Sequence, residues 1–209
     1  MSEKGLWAAT SRTDVLFSIV QVALKGALAV LGWYSALTLP PLFTEAGALA
    51  LPETPQAPLI FGLFALCTAL DAFWHRRGLW SEAIHHAVVT IGLVWTFQAG
   101  GLGHTFTCLN GVQETIGPIY QAIKLTRISP TLLRFAVATN VLVRAPYWLV
   151  MMGLLARQAV AAHGGRDPDR LFRPALSTFL FAGYATGLCL DYVWTSKMVR
   201  RLRREAKRG

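Results

Sequence analysis

Two histidines stand side by side at the head of an apolar run, in the stretch "SEAIHHAVVTIGLVWTF" from Ser81 to Phe97. An imidazole changes charge near neutral pH. It can take a proton from an acceptor hydroxyl or amine, or carry an acyl group itself. Neighbouring residues on a helix point about 100° apart, so His85 and His86 cannot both serve one packing face. Other ionisable side chains interrupt otherwise apolar sequence at Lys25, Asp71, His104, Glu114, Arg144 and Asp191. A carboxylate such as Glu114 can hold a histidine tautomer and favour the imidazolium, which makes His85, His86 and Glu114 the candidate catalytic group. Asp71, His104, Asn110, Asn140, Arg144, Tyr184 and Asp191 are the candidate substrate-binding residues.

Metal ligation is the competing chemistry for His75, His85, His86, His104, Asp71 and Glu114. A His-Glu-x-x-His spacing is absent and the chain has only five histidines. Multi-histidine di-iron sites are therefore set aside, a single zinc stays as an alternative, and no metal is expected. Cys67, Cys108 and Cys189 lack Cys-x-x-Cys spacing and fall in three different apolar stretches, where they read as small packing residues.

The elements that must position these groups are set by composition. The chain is 54% hydrophobic and 15% charged, with a mean hydropathy of +0.43, whereas soluble domains carry roughly 25% charged residues. Apolar stretches bounded by turn residues predict helices over approximately Val15–Leu39, Pro58–Trp74, Glu82–Ala99, His104–Leu125, Thr131–Ala156 and Pro174–Lys197. The first has too narrow a polar face for a soluble bundle. The expected fold is all-α, a polytopic transmembrane helical bundle of about six spans. It forms a single domain over residues 1–209 with a basic tail at 197–209. The N-terminus lacks the cleavage pattern of a signal peptide, so the first span is expected to stay.

At helical spacing the polar residues fall into stripes: His104, Thr107, Gly111, Glu114 and Pro118; Asn140, Arg144 and Tyr147; Ser177, Tyr184 and Asp191; and Phe64, Cys67, Asp71 and His75. Stripes of this kind cannot face lipid and are expected to converge on a polar interior able to hold a lipid headgroup or a reactive carbonyl. Two bland readings stand beside this one. Arg144 and Asp191 can form a structural ion pair, and Asp71 can snorkel or pair at the Arg76-Arg77 interface.

Seven basic residues between Lys197 and Arg208, with Arg76 and Arg77, mark the cytoplasmic side, and the Pro40–Ala57 segment has Glu45 and Glu53 but no basic residue. Both termini are then cytoplasmic, in the endoplasmic reticulum or plasma membrane of a eukaryote or the inner membrane of a bacterium. Arg157, Arg166, Arg170 and Arg173 disagree with this orientation. The net charge of +9 reads as topology and attraction to anionic headgroups, and nucleic acid is not an expected partner.

Several segments resemble the TLC-domain membrane proteins, which include the ceramide synthases. They are "ALDAFWH" closing the second span, "HHAVVT" opening the third, "QETIGPIYQAIKL" in the fourth, "RAPYWLV" in the fifth and "GLCLDYVWTSKMVRRLRR" at the end. The resemblance covers roughly residues 10 to 205. Ceramide synthases continue with a His-Asp-x-x-Asp pattern where this chain reads Gln113-Glu114-Thr115-Ile116-Gly117, so only the acidic position is kept. This form resembles the non-synthase branch, whose members are associated with membrane lipid composition, lipid-synthetic activity or cargo handling. Acyl transfer from a donor such as acyl-CoA to a lipid acceptor, the chemistry that suits the histidine pair, is the expected function, with membrane lipids as partners and no cofactor expected. The alternative is a non-catalytic lipid-binding or cargo-interacting membrane protein. Transport by the buried charges is a third class, unsupported by any inverted repeat.

Overall fold

The computed structural model describes residues 11–38, 54–74, 80–126, 129–163 and 174–206, with backbone only for 74, 80–86 and 161–163. Among the described residues the chain is all-helical: α1 (Arg12–Thr38), α2 (Ala57–Trp74), α3 (Trp80–Gln98), α4 (Gly101–Asn110), α5 (Gly117–Leu125), α6 (Pro130–Thr139), α7 (Ala145–His163) and α8 (Pro174–Ala206). A 3-10 segment, Gly111–Ile116, joins α4 to α5, and a π-helical segment, Asn140–Arg144, joins α6 to α7. These elements therefore make six rods. Three helical runs, Arg12–Thr38, Pro130–Val160 and Pro174–Ala206, are long and apolar enough to cross a membrane, and Ala57–Phe73 and Ala87–Gln98 are shorter apolar helices.

Local chemistry explains the ends. Ser11 and Asp14 cap α1 reciprocally: the Asp14 N–H donates to Ser11 Oγ at 3.1 Å, and the Ser11 N–H donates to Asp14 Oδ2 at 2.9 Å. Gly100 and Gly101 take φ of 64° and 34°, conformations open to glycine, and so turn α3 into α4 directly. The fourth rod thus starts at Gly101, ahead of the expected His104. The last two rods outrun their apolar stretches, α7 reaching His163 and α8 reaching Ala206. Arg, Lys and Ala are good helix formers, and a helix need not stop where its apolar composition does.

Both irregular turns precede a proline. Pro118 has no N–H to bond the carbonyl of Glu114, and the Gly117 N–H takes that oxygen instead, tightening the turn to 3-10 geometry. Pro146 likewise cannot bond the carbonyl of Leu142. The turn ahead of it widens, and the Ala145 N–H reaches the carbonyl of Asn140.

Side-chain contacts fix the directions. Gln56 Nε2 donates to Ser35 Oγ at 3.1 Å while Lys25 meets Asp71, so α1 and α2 are antiparallel. Phe61 stacks on Phe97 with centroids 4.3 Å apart, tying the start of α2 to the end of α3. Gly32 lies on Gly111 and Lys25 on Gly117, so the fourth rod runs back along α1. Tyr147 meets Asn110 and Asn140 meets Tyr120, and Asn140 also meets Thr195 while Trp148 meets Asp191. The rods alternate in direction, and Arg12 and Ala206 lie at the same end of the bundle.

α1 and the 3-10 segment approach each other at backbone contact. A methyl group on Gly32 would overlap the backbone of Gly111 and Val112, and one on Gly111 would lie 2.6 Å from the carbonyl oxygen of Leu28. Close approach of this kind suits helices that associate in lipid through small residues. Gly32→Val should lower thermal stability by about 1–3 kcal/mol or more, since backbone atoms cannot make room. Gly153→Ala, at a position with nothing within 4 Å, should be neutral or stabilising. A fluorescence-detected melting series on detergent-solubilised protein reads both.

Candidate functional site

Five rods carry buried polar side chains toward one another. On α1 these are Ser18, Gln21, Lys25 and Ser35, and on α2 Cys67 and Asp71. Lys25 Nζ lies 3.1 Å from Asp71 Oδ2, with both side chains largely buried at 17% and 7% exposure. Asp71 is therefore tied to α1 at bundle depth. Gln21, one turn away, donates to the Cys67 carbonyl at 3.5 Å.

Glu114 joins this group through Gly117. A methyl on Gly117 would lie 2.7 Å from Lys25 Cδ and 3.1 Å from Glu114 Oε2, so the carboxylate and the lysine stem flank one point. Among the described residues Glu114 makes no ion pair of its own. The 3-10 turn aims it this way, and the expected stripe of Gly111, Glu114 and Pro118 does face α1. The upper part of that stripe behaves differently. Thr107 bonds its own helix, donating to the Gly103 carbonyl at 2.9 Å, and His104 packs its ring on Phe97 with centroids 4.8 Å apart.

The second group is built on α7 and α8. Arg144 Nη1 lies 3.0 Å from Asp191 Oδ1 with 9% and 2% of the side chains exposed. The other carboxylate oxygen, Oδ2, accepts the indole N–H of Trp148 at 2.7 Å. Gly187 makes this possible, since a methyl there would meet the Trp148 ring at 2.9 Å. Arg144 also lies over the Trp148 ring, 5.6 Å from its centroid. In the same π segment, Asn140 Nδ2 donates to Tyr120 Oη at 3.0 Å and to Thr195 Oγ1 at 2.9 Å. A π turn takes about 4.4 residues, so Asn140 and Arg144 come nearly onto one face.

Between the groups, Tyr147 and Tyr184 both donate their hydroxyls to Asn110 Oδ1, the latter at 3.1 Å. Asn140 Oδ1 and Arg144 Nε, both on residues at least 90% buried, have no hydrogen-bond partner among the described residues. Buried polar atoms are normally satisfied, so these two retain capacity for a ligand's polar group or for water.

The structure thus sorts the sequence-predicted residues into three sets: Asp71 with Glu114, Asn110 with Tyr184, and Asn140 with Arg144 and Asp191. His104 joins none of them. It lies near the α3–α4 turn, where α3 has risen about 18 Å from His85. The side chains of His85 and His86 lie outside the described residues, and only their places on α3 are known. Counting from the stacked Phe61 and Phe97 along antiparallel helices brings His86 within about a turn of the level of Asp71. His75, Arg76 and Arg77 lie outside the described residues. The three cysteines are unpaired, two of them buried.

Several site members escaped the sequence reading. Lys25 was legible only as an ionisable group, and Trp148, Tyr120 and Thr195 read as ordinary span residues. Pro118 and Pro146 were the available signals, because each forces an irregular turn just ahead of it. Comparison of the chain with protein-family models, with curated proteins and with solved structures finds no match in any of the three.

Removing one partner of a buried pair strands the other charge. Asp191→Asn should cost about 3–5 kcal/mol of stability, while Arg144→Met with Asp191→Leu should recover most of that loss. Thermal melts of the single and double variants decide; equal loss in both would mean that the packing of these positions, rather than their charge, is what matters.

Proposed function

We propose that the chain is a six-span membrane protein whose polar interior modifies membrane lipid by acyl transfer. The single observation that carries this reading is the Lys25–Asp71 pair with Glu114 beside it, at the level where α3 brings the histidine pair. Ionisable groups at bilayer depth are expensive and usually mark a function. The outer surface fits lipid: Leu16, Ile19, Val30, Leu37, Leu142 and Val160 are all more than half exposed.

All six rods then span. Arg12, Arg134, Lys197, Arg200, Arg203 and Arg204 gather at one end, which is cytoplasmic by the positive-inside rule. Arg157, on α7 toward the other end, is the exception. An acyl donor such as acyl-CoA approaches from the basic side and a lipid acceptor from the bilayer. His85 or His86 takes the acceptor's hydroxyl or amine proton as the acceptor attacks the acyl carbonyl, and Glu114 favours the imidazolium that results. The acyl–sulfur bond breaks, and the proton passes to the leaving thiolate. The resemblance to TLC-domain proteins supports this reading through the same histidines and Glu114.

One observation favours the second reading, a non-catalytic lipid-binding or cargo-interacting protein. Lys25 is paired with Asp71 and Arg144 with Asp191, an arrangement suited to holding a shape. The double variant His85→Ala, His86→Ala separates the two. Under acyl transfer its turnover in a lipid-remodelling assay falls by about 100-fold or more while co-purified lipid is unchanged. Unchanged remodelling with unchanged lipid assigns the chain to the binding class. Topology is tested with Ala50→Cys, which should react with an impermeant maleimide from outside; labelling only from the cytoplasm would reverse the orientation.

A further inference from the structure

α8 is 33 residues long. From Pro174 to Lys197 the helix rises about 35 Å, already past a hydrocarbon core of about 30 Å, and Arg201 lies about 6 Å further, at headgroup depth. It stays packed there. Met198 is 2% exposed, in a cluster with Ile123 of α5 and Leu133 and Ala136 of α6, with Leu202 against it. The basic end is therefore a rigid helical surface and not a loose tail.

That surface has a flank with a distinct character. Near the other end, Phe179 packs against Trp95 with centroids 5.5 Å apart and would touch a methyl on Gly92, so this flank of α8 receives α3. Eighteen residues make about five full turns, which returns Lys197 to the azimuth of Phe179 and Arg201 to that of Gly183. Gly183 has nothing within 4 Å. Lower on the flank, Trp194 stands between the apolar stretch and Lys197, with its ring against Tyr120. Arg201 is half-buried, and its Nε is buried without a hydrogen-bond partner among the described residues.

We propose that this flank of α8 is a binding site for one anionic phospholipid. Its phosphate lies between the Arg201 guanidinium and the Lys197 ammonium, and an acyl chain runs along the open face at Gly183. A guanidinium offers paired donors that match phosphate oxygens, and an indole is favoured at the glycerol and carbonyl level just inside the phosphates. Arg203 points to the far side of the helix and Arg200 lies about 60° from Lys197, on the side away from Arg201, and the Arg200 Nε–H turns back to donate to the Ser196 carbonyl at 3.3 Å. Charge alone does not single out the site; the flank does. This site is separate from the interior polar groups and does not depend on what they catalyse.

Native mass spectrometry of the full chain released from nanodiscs of equimolar phosphatidylglycerol and phosphatidylcholine tests it. The protein should retain phosphatidylglycerol in preference to phosphatidylcholine, and Lys197→Gln with Arg201→Gln should lower that preference on the order of tenfold. Arg200→Gln with Arg203→Gln removes the same charge and should leave it within about twofold. Equal loss in the two double variants would reduce the effect to general electrostatics, and no preference in the wild-type chain would remove the site. Arg201→Lys, which keeps the charge and the helix, should still lose much of the preference if the guanidinium fork is what binds.

Discussion

The backbone contact between α1 and the 3-10 segment is the constraint on which the interior rests. Gly32 and Gly111 let the two chains touch where any side chain would hold them apart. Helices that cross a membrane gain nothing from burying apolar surface against one another, so on the six-span reading proposed above close packing supplies the cohesion. The same closeness fixes the polar chemistry. Lys25 lies two turns along α1 from Gly32, and only a fourth rod held this near brings Gly117 and the Glu114 carboxylate beside its stem. Separation by one methyl layer would leave Lys25 with Asp71 alone.

Two prolines then do locally what the glycines do between rods. Pro118 and Pro146 each withhold an N–H from the preceding turn, one tightening it and one widening it. The departures from α geometry are where Glu114, Asn140 and Arg144 sit. An unbroken α-helix would rotate these side chains relative to the rods that receive them, and Asn140 and Arg144, four residues apart, would diverge by about 40°. Widening brings both toward α8, where Thr195 and Asp191 accept them.

The six rods were legible from apolar runs and their breaks, because the connections carry the prolines, glycines and charges that end an apolar helix. The Arg144–Asp191 pair was also legible as an alternative, since two lone opposite charges in adjacent rods have little else to do. Asp71 was not. Pairing at Arg76 and Arg77 was one of the two readings, and those residues lie outside the described ones; among the described residues Asp71 meets Lys25, 46 residues away. Sequence shows which residues are costly to bury but not the interhelical register that pairs them, and that register is set by glycine contacts with no sequence period. The sorting into three groups, and the departure of His104 from all of them, follow from the same register.

Charge accounting in the interior leaves a remainder with chemical meaning. Lys25 answers Asp71 and Arg144 answers Asp191, so among the described residues Glu114 is the acid with no base of its own. A buried carboxylate is costly unless a cation or a hydrogen-bond donor lies near it. Lys25 lends part of its field but is committed to Asp71. α3 carries His85 and His86 in its first two turns. A carboxylate short of a cation and an imidazole that can become one are complementary, and the complement is strongest in the protonated state that a general base passes through. The irregular turn, where Gly117 leaves room, holds the leftover acid beside the Lys25 stem, and under the acyl transfer proposed above that is where it would answer a proton taken up on α3.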